Sequence, residues 1–153
     1  NAGIETERAI NYFNPNYIFF VGVAGGLKDV SVGDIVIGQD VYGYERGKTD
    51  AVKDGETVIS IFKPRPKFGA SSYSMERLAT NYSNSNEWKT RVENLNTETF
   101  TNPINVFTGT IASGEKVDAD VKSELHKFIK QNCSHALAIE MEGLGFLESC
   151  RAY

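Results

Sequence analysis

The chain has 153 residues, of which 41% are hydrophobic and 24% charged, with a formal net charge of −4. This composition is typical of one globular domain with a substantial core. The acidic balance and the lack of a Lys/Arg block argue against nucleic acid or an anionic membrane surface as the main partner, and favour a small ligand.

The first half of the chain predicts one helix followed by strands. The helix should end at Asn14-Pro15, because proline disfavours helical backbone in the residue before it. The continuous apolar run YIFFVGV is typical of a strand that is covered on both faces. The predicted elements are a helix over 2–13, a strand over 17–23, a strand over 34–45 with bulges or bends at Gly38 and Gly43, an exposed loop over 48–55 and a strand over 56–62.

The second half predicts helices alternating with strands. Leu125, Phe128 and Ile129 form one helical stripe together with Val121. The predicted elements are a helical region over 71–94 with a break near NYSNSN, a strand over 104–114, a helix over 118–132 capped by Asp118 or Asp120, a strand over 136–142 and a helix from Gly143.

Alternating strands and helices predict an α/β fold in which helices cover both faces of a mixed, mostly parallel sheet. The whole chain, residues 1–153, is expected to form one domain. Ligands of such sheets bind at the carboxyl ends of strands. Three strand ends therefore become candidate sites.

The sequence has neither a targeting segment nor a metal-ligand motif, and the expected compartment and cofactor follow from this. No run approaches the roughly 18 apolar residues of a membrane span, and the N-terminus does not resemble a signal peptide, so we expect a cytoplasmic protein. Cys133 and Cys150, with two histidines, form no spaced ligand cluster. We expect both cysteines to be reduced and semi-buried, and we expect neither a metal nor a cofactor.

The first two strand ends are rich in small residues. In VGVAGGL, Gly25 and Gly26 let a ligand approach the backbone closely, although a tight turn explains them equally well. They match neither a dinucleotide fingerprint nor a P-loop. In TGTIASGEKVD, Ser113-Gly114 suits a pocket rim, although alone it is more typical of a surface loop.

The third strand end, ALAIEMEG, carries two carboxylates around a methionine. On an extended backbone Glu140 and Glu142 share one face and Met141 takes the other, until the chain turns at Gly143. A carboxylate can accept both hydroxyls of a ribose diol, and methionine packs well against a sugar face. The alternatives are that the carboxylates stabilise a helix N-terminus or are merely solvated.

The segments VGVAGGLKDVSVGDIVIGQDVYGYERGK, TGTIASGE and ALAIEMEG, in this order, resemble the purine nucleoside phosphorylase and uridine phosphorylase superfamily. Within it, the 5′-methylthioadenosine/S-adenosylhomocysteine nucleosidases are the nearest likeness. The resemblance covers most of the chain, with an unfamiliar stretch over 49–102. It implies cleavage of a nucleoside N-glycosidic bond by water or phosphate, without a cofactor, in a homo-oligomer such as a dimer. The stretch VYGYE is a candidate contact between subunits.

The resemblance also implies roles for particular residues. Glu142 falls on the catalytic carboxylate that binds the ribose hydroxyls, and Met141 on the methionine packed against the ribose. Glu140 would support this clamp, and Asp34 would be structural. The implied substrate-binding residues are Val23, Ala24, Gly25, Val117, Ile139, Glu140, Met141 and Glu142.

Departures from the family bear on the reaction. Phosphorylases carry an arginine where this chain has Phe20, and relatives carry Ser or Thr where Val23 stands. Phosphorolysis is thereby disfavoured, unless Arg46 or Arg65 replaces the missing arginine. Val117 replaces an aromatic that stacks on the base.

The family also places an acidic residue before Asn1 and a Ser-Asp pair after Tyr153. The resemblance therefore implies an incomplete domain that is inactive alone. A non-catalytic nucleoside or nucleotide sensor is the alternative from another functional class.

Overall fold

The computed structural model describes residues 2–55, 57–95, 103–116 and 123–153. In these ranges one helix is followed by five successive strands and two helices, and strands and helices then alternate to the end of the chain. The elements are α1 (Ala2–Phe13), β1 (Gly25–Gly26), β2 (Ile35–Gly43), β3 (Gly47–Asp54), β4 (Thr57–Pro64), β5 (Lys67–Ala70), α2 (Tyr73–Ser83), α3 (Asn86–Leu95), β6 (Val106–Ser113), α4 (Glu124–Asn132), β7 (Ala138–Glu140) and α5 (Gly143–Arg151).

Five strands form the main sheet in the order β1-β7-β6-β2-β5. The central strand β6 is parallel to both β2 and β7, whereas β1 and β5 are antiparallel to their neighbours. The mixed α/β sheet expected from the sequence is confirmed, with parallel pairing at its centre and antiparallel pairing at its edges. The register shifts between Gly38 and Asp40, which confirms an irregularity beside Gly38, whereas Gly43 pairs in regular register with Ser113 and Lys67 and forms no bulge.

The buried core lies between the sheet and α4. Tyr42 and Ala112 on the sheet and Ile129 on α4 are each at most 2% exposed and belong to one apolar cluster. Leu125 and Phe128 pack against the same cluster, which confirms the predicted helical stripe. Burying such side chains provides the main driving force for this packing.

The opposite face of the sheet is covered by α5. A Cβ added at Gly43 would lie 2.5 Å from Leu144, and one added at Gly69 would lie 3.0 Å from Leu147. Because neighbouring strand residues point to opposite faces, Gly43 and Tyr42 place α5 and α4 on different sides. Helix α1 packs on α5, where the Ser149 hydroxyl donates to the Gly3 carbonyl at 3.0 Å. The sheet is therefore covered on both faces, as expected.

Two local predictions are wrong. Residues 17–23 form no strand, and only Gly25–Gly26 pair with the sheet, leaving Val21 89% and Val23 98% exposed. An apolar run needs a hydrogen-bonded neighbour to become a strand, and no described residue pairs with this one. Residues 48–55 were expected to be a loop, but Gly47–Asp54 pairs with β4 in an antiparallel hairpin.

Three further outcomes concern segment ends and burial. The break in the helical region is confirmed between α2 and α3, while β5 was not predicted. Helix α4 is capped by Ser123, whose hydroxyl accepts the His126 N–H at 3.1 Å, and not by Asp118 or Asp120. Asp118, Asp120 and Val121 lie outside the described residues.

The stretch VYGYE is also not the exposed contact that was expected, since residues 41–44 are buried in the chain's own core. Its second tyrosine, Tyr44, is only 1% exposed. None of the helices in the described ranges has the length and apolar character of a membrane span.

Candidate functional site

Three strand ends converge at one edge of the main sheet. Gly25 pairs with Ile139 on β7, and Ser113 at the end of β6 pairs with Glu140 at the end of β7. The Gly114 N–H donates to the Glu140 carbonyl at 3.2 Å. The three candidate segments of the sequence therefore meet at the carboxyl edge, where ligands of parallel sheets bind.

The Glu140 carboxylate holds the start of helix α5. Its Oε2 accepts the N–H of Glu142 at 2.6 Å and the N–H of Gly143 at 2.7 Å. The Ser113 hydroxyl oxygen accepts the next amide, the Leu144 N–H, at 3.2 Å. Side chains of two neighbouring strand ends thus satisfy the first amides of α5, which have no partners within the helix.

Glu142 directs its carboxylate to a different place. It is the N-cap residue of α5, but its side chain makes no capping hydrogen bond. Its Oε2 accepts the N–H of Ala2, the first residue of α1, at 2.8 Å. The chain leaves the strand before Gly143, where the turn was expected. Strand β7 ends at Glu140, and the Glu142 backbone is no longer extended, with a ψ angle of −15°. Between them Met141 is 52% exposed, so the edge carries an accessible apolar surface beside a carboxylate.

The Ala24-Gly25 segment lies directly beside this turn. A Cβ at Gly25 would approach the Ile139 side chain to 3.1 Å, so the absence of a side chain permits the close pairing. Because β1 is antiparallel to β7, Ala24 and Val23 lie on the side of Gly25 that leads toward the carboxyl edge. Both residues are exposed. Val117 lies outside the described residues.

Tyr44 fixes the loop that follows β6, and the sequence pattern did not identify it. Its hydroxyl donates to the Lys116 carbonyl, and its N–H donates to the Ser113 carbonyl at 3.3 Å. A Cβ at Gly114 would lie 2.4 Å from the Tyr44 ring, so only glycine lets the ring pack there. An aromatic in an apolar strand predicts a core residue, and no signal in the sequence marks its hydroxyl contact.

Carboxylates surround the same loop. The Glu45 carboxylate accepts the Glu115 N–H at 2.8 Å. Burial raises the pKa of Tyr44, and the nearby charges of Glu45 and Glu140 raise it further. Tyr44 therefore remains a neutral hydrogen-bond donor across the physiological pH range.

Residues relevant to phosphate binding lie as follows. The Phe20 ring packs against Phe146 of α5 with 5.4 Å between ring centroids. Arg46 and Arg65 flank the β3–β4 hairpin, where the Arg65 N–H donates to the Arg46 carbonyl at 2.7 Å. Neither guanidinium has a contact with the Glu140–Glu142 turn among the described hydrogen bonds and ion pairs.

Asp34 has contacts that fit a structural role. Its carboxylate accepts the Ser31 N–H at 2.8 Å and the Asn105 N–H at 2.9 Å, joining the loop before β2 to the start of β6. These backbone hydrogen bonds lower the pKa of Asp34. Both cysteines are free, Cys133 buried and Cys150 half-buried. No cluster of metal-ligating side chains occurs in the described ranges.

Fold and edge together define a layered α/β protein in which the candidate segments meet at the carboxyl edge of a mixed sheet. The chain belongs to the phosphorylase superfamily, whose family model matches residues 1–153. The likeness inferred from the Ala-Gly-Gly and Glu-Met-Glu segments is therefore confirmed.

Curated relatives narrow the likeness further. The chain is 30% identical to a 5′-methylthioadenosine/S-adenosylhomocysteine nucleosidase of Staphylococcus saprophyticus, with 98% of this chain and 57% of the relative covered. It is 27% identical to the nucleosidase of the same name from Staphylococcus haemolyticus, with 100% of this chain and 58% of the relative covered. The chain thus spans somewhat more than half the length of these relatives.

Solved structures support the same fold. A Neisseria meningitidis 5′-methylthioadenosine/S-adenosylhomocysteine nucleosidase in complex with methylthio-immucillin-A superposes with a TM-score of 0.68 at 22% identity, covering 99% of this chain and 57% of that structure. A Helicobacter pylori futalosine hydrolase mutant superposes with a TM-score of 0.66 at 22% identity, covering 98% of this chain and 59% of that structure.

Proposed function

We propose that the complete protein carrying this chain hydrolyses the N-glycosidic bond of a purine nucleoside of the methylthioadenosine or adenosylhomocysteine type. The observation that carries the proposal is the convergence of the Ala24-Gly25 segment, the end of β6 and the Glu140–Glu142 turn at one sheet edge. The names of the curated relatives support the reaction and the substrate class.

In this proposal Glu142 is the catalytic carboxylate. A carboxylate only accepts hydrogen bonds, so the Glu142 carboxylate would accept those of the two ribose hydroxyls. Loss of the base leaves positive charge on the ribose, and a carboxylate beside it stabilises the transition state more than the ground state. The exposed Met141 would pack against the sugar. Ala24, Gly25 and Ile139 would line the base and ribose, with Val117 as an apolar wall.

Water is the proposed nucleophile. Phosphate binding in a protein draws on cationic side chains and aligned N–H groups, and Phe20 offers an aromatic ring packed on Phe146 instead. Phosphorolysis would need a cation from elsewhere, for which Arg46 and Arg65 are the candidates named above. Phosphate as a co-substrate is therefore the less favoured alternative.

A second candidate function is nucleoside sensing without turnover. The observation that favours it is Val23, whose side chain is 98% exposed and supplies no hydroxyl where relatives carry one. A domain that keeps the ribose clamp but lacks this hydroxyl could bind a nucleoside or nucleotide without cleaving it.

The surroundings of the site complete the proposal. Residues 1–153 would belong to one phosphorylase-type domain, as the extent of the family match supports. A homodimer in the cytoplasm remains our expectation, and buried Tyr42 and Tyr44 exclude the VYGYE stretch as its main contact. Light scattering after size exclusion would measure the assembly.

The test of the reaction is base release by the complete protein, followed by chromatography, from 5′-methylthioadenosine, adenosylhomocysteine, adenosine and inosine. Each substrate is assayed with and without inorganic phosphate, and the sugar product is identified. Adenine with a free thioribose at equal rates in both buffers is expected. A sugar 1-phosphate formed only with phosphate would establish phosphorolysis. Tight binding without base release would establish sensing.

A further inference from the structure

At the start of helix α5, the residue in the N-cap position is not the residue whose side chain accepts the first amides. An N-cap carboxylate normally turns back to accept an amide of its own first helical turn. Glu142 occupies the N-cap position and makes no such bond. Glu140 accepts the amides of Glu142 and Gly143, and Ser113 accepts the amide of Leu144.

We propose that Glu140 is a positioning residue, which holds the amides of Glu142 and Gly143 at the start of α5 and thereby fixes the backbone from which the Glu142 carboxylate addresses the nucleoside. This inference rests on the proposed function of Glu142. If Glu142 capped its own helix, its oxygens would be drawn toward the amides of Leu144 and Gly145. Ser113 serves the Leu144 amide from the end of β6, and Glu140 holds the amide of Glu142 itself, whereas the Glu142 carboxylate extends away from these amides to Ala2.

The geometry at Glu140 fits a capping role. Its Oε2 makes both amide contacts within 2.7 Å, whereas its Oε1 is buried and has no hydrogen-bond partner in the described part of the chain. A Cβ at Gly143 would lie 2.9 Å from Oε1 and 3.2 Å from Cδ of Glu140. Glycine at position 143 therefore leaves the space in which this carboxylate fits.

Capping requires an acceptor oxygen, whereas stabilising a cationic ribose requires negative charge. A glutamine keeps one acceptor oxygen and loses the charge. The two glutamates should therefore respond differently to the same isosteric change. At Glu140, glutamine should preserve much of the function that alanine removes. At Glu142, glutamine should be nearly as damaging as alanine.

The test measures kcat/KM for 5′-methylthioadenosine in the complete protein for the Gln and Ala variants at both positions. Glu124→Gln is the matched control, because Glu124 is a 90% exposed side chain on α4. On a logarithmic scale, Glu140→Gln is expected to recover more than half of the loss caused by Glu140→Ala. Glu142→Gln is expected to lose on the order of a hundredfold. Melting temperatures establish that each variant is folded.

Recovery of less than half at Glu140, or no loss in Glu140→Ala, would overturn the positioning role. Glu140→Ala could fail to fold, since it removes a helix cap. In that case Glu140→Gln is compared with wild type alone, and a loss above about tenfold would overturn the inference. Retained activity in Glu142→Gln would refute the proposed clamp instead, so the two failures are distinguishable.

Discussion

Replacing Gly114 by alanine tests how tightly the loop after β6 is held. The new Cβ would lie 2.4 Å from Cζ, 2.6 Å from Cε2 and 2.8 Å from the hydroxyl oxygen of Tyr44. The ring has little room to move, because Tyr44 is 1% exposed and its hydroxyl donates to the Lys116 carbonyl. Relief of the clash must displace either the ring or the loop.

The expected cost combines two contributions. Inserting a methyl group into a packed site costs about 1–3 kcal/mol. Loss of the Tyr44 hydroxyl contact adds about 0.5–1.5 kcal/mol. We therefore expect Gly114→Ala to lower the free energy of unfolding by about 2–4 kcal/mol, with a fall in melting temperature of roughly 2–4 °C for each kcal/mol.

Urea unfolding followed by the fluorescence of Trp88, the single tryptophan, measures this change. Gly22→Ala is the matched control, because its new Cβ would meet nothing closer than 3.9 Å. Adding Tyr44→Leu should partly rescue Gly114→Ala, since it removes the clashing ring atoms. A cost below about 0.5 kcal/mol, or strictly additive effects in the double variant, would refute the contact between ring and loop.

Three further predictions concern stability. Burial raises the pKa of Cys133 from 9.0 to about 11. Wild type should therefore lose about 2 kcal/mol more than Cys133→Ala as the pH rises from 9 to 11 in urea titrations, and parallel profiles would contradict this. Asp34→Ala should lower the melting temperature at pH 7, and the difference should shrink below pH 3.8, because the folded-state pKa of Asp34 is lowered. Ile129→Ala should cost about 2–5 kcal/mol in urea, whereas a cost like that of a surface change would contradict its place in the core.

The fold could be predicted where apolar residues recur on one face of an element or where a proline ends it. Phe128 and Ile129 mark the buried stripe of α4, and Asn14-Pro15 marks the end of α1. The prediction failed over residues 17–23, because an apolar run indicates burial while strand formation depends on a pairing partner. It failed over 48–55 because polar residues on an exposed hairpin resemble those of a loop, and cross-strand pairing is not local information.

The site could be predicted only in part. The Gly-Gly and Glu-Met-Glu segments indicated strand ends, and the antiparallel pairing of β1 with β7 brings those two segments together. The separate contacts of Glu140 and Glu142 could not be read from an alternating pattern, because the chain leaves extended geometry between them. Tyr44 was missed for a similar reason, since its importance depends on a residue 72 positions away.

The most direct measurement of the central claim is kcat/KM for 5′-methylthioadenosine in the complete protein, wild type against Glu142→Gln, with Glu124→Gln alongside. A loss on the order of a hundredfold at Glu142, with folding retained and the control unchanged, is predicted for a carboxylate that stabilises the ribosyl transition state. Equal values of kcat/KM in all three proteins would contradict the assignment of the sheet edge as the catalytic site.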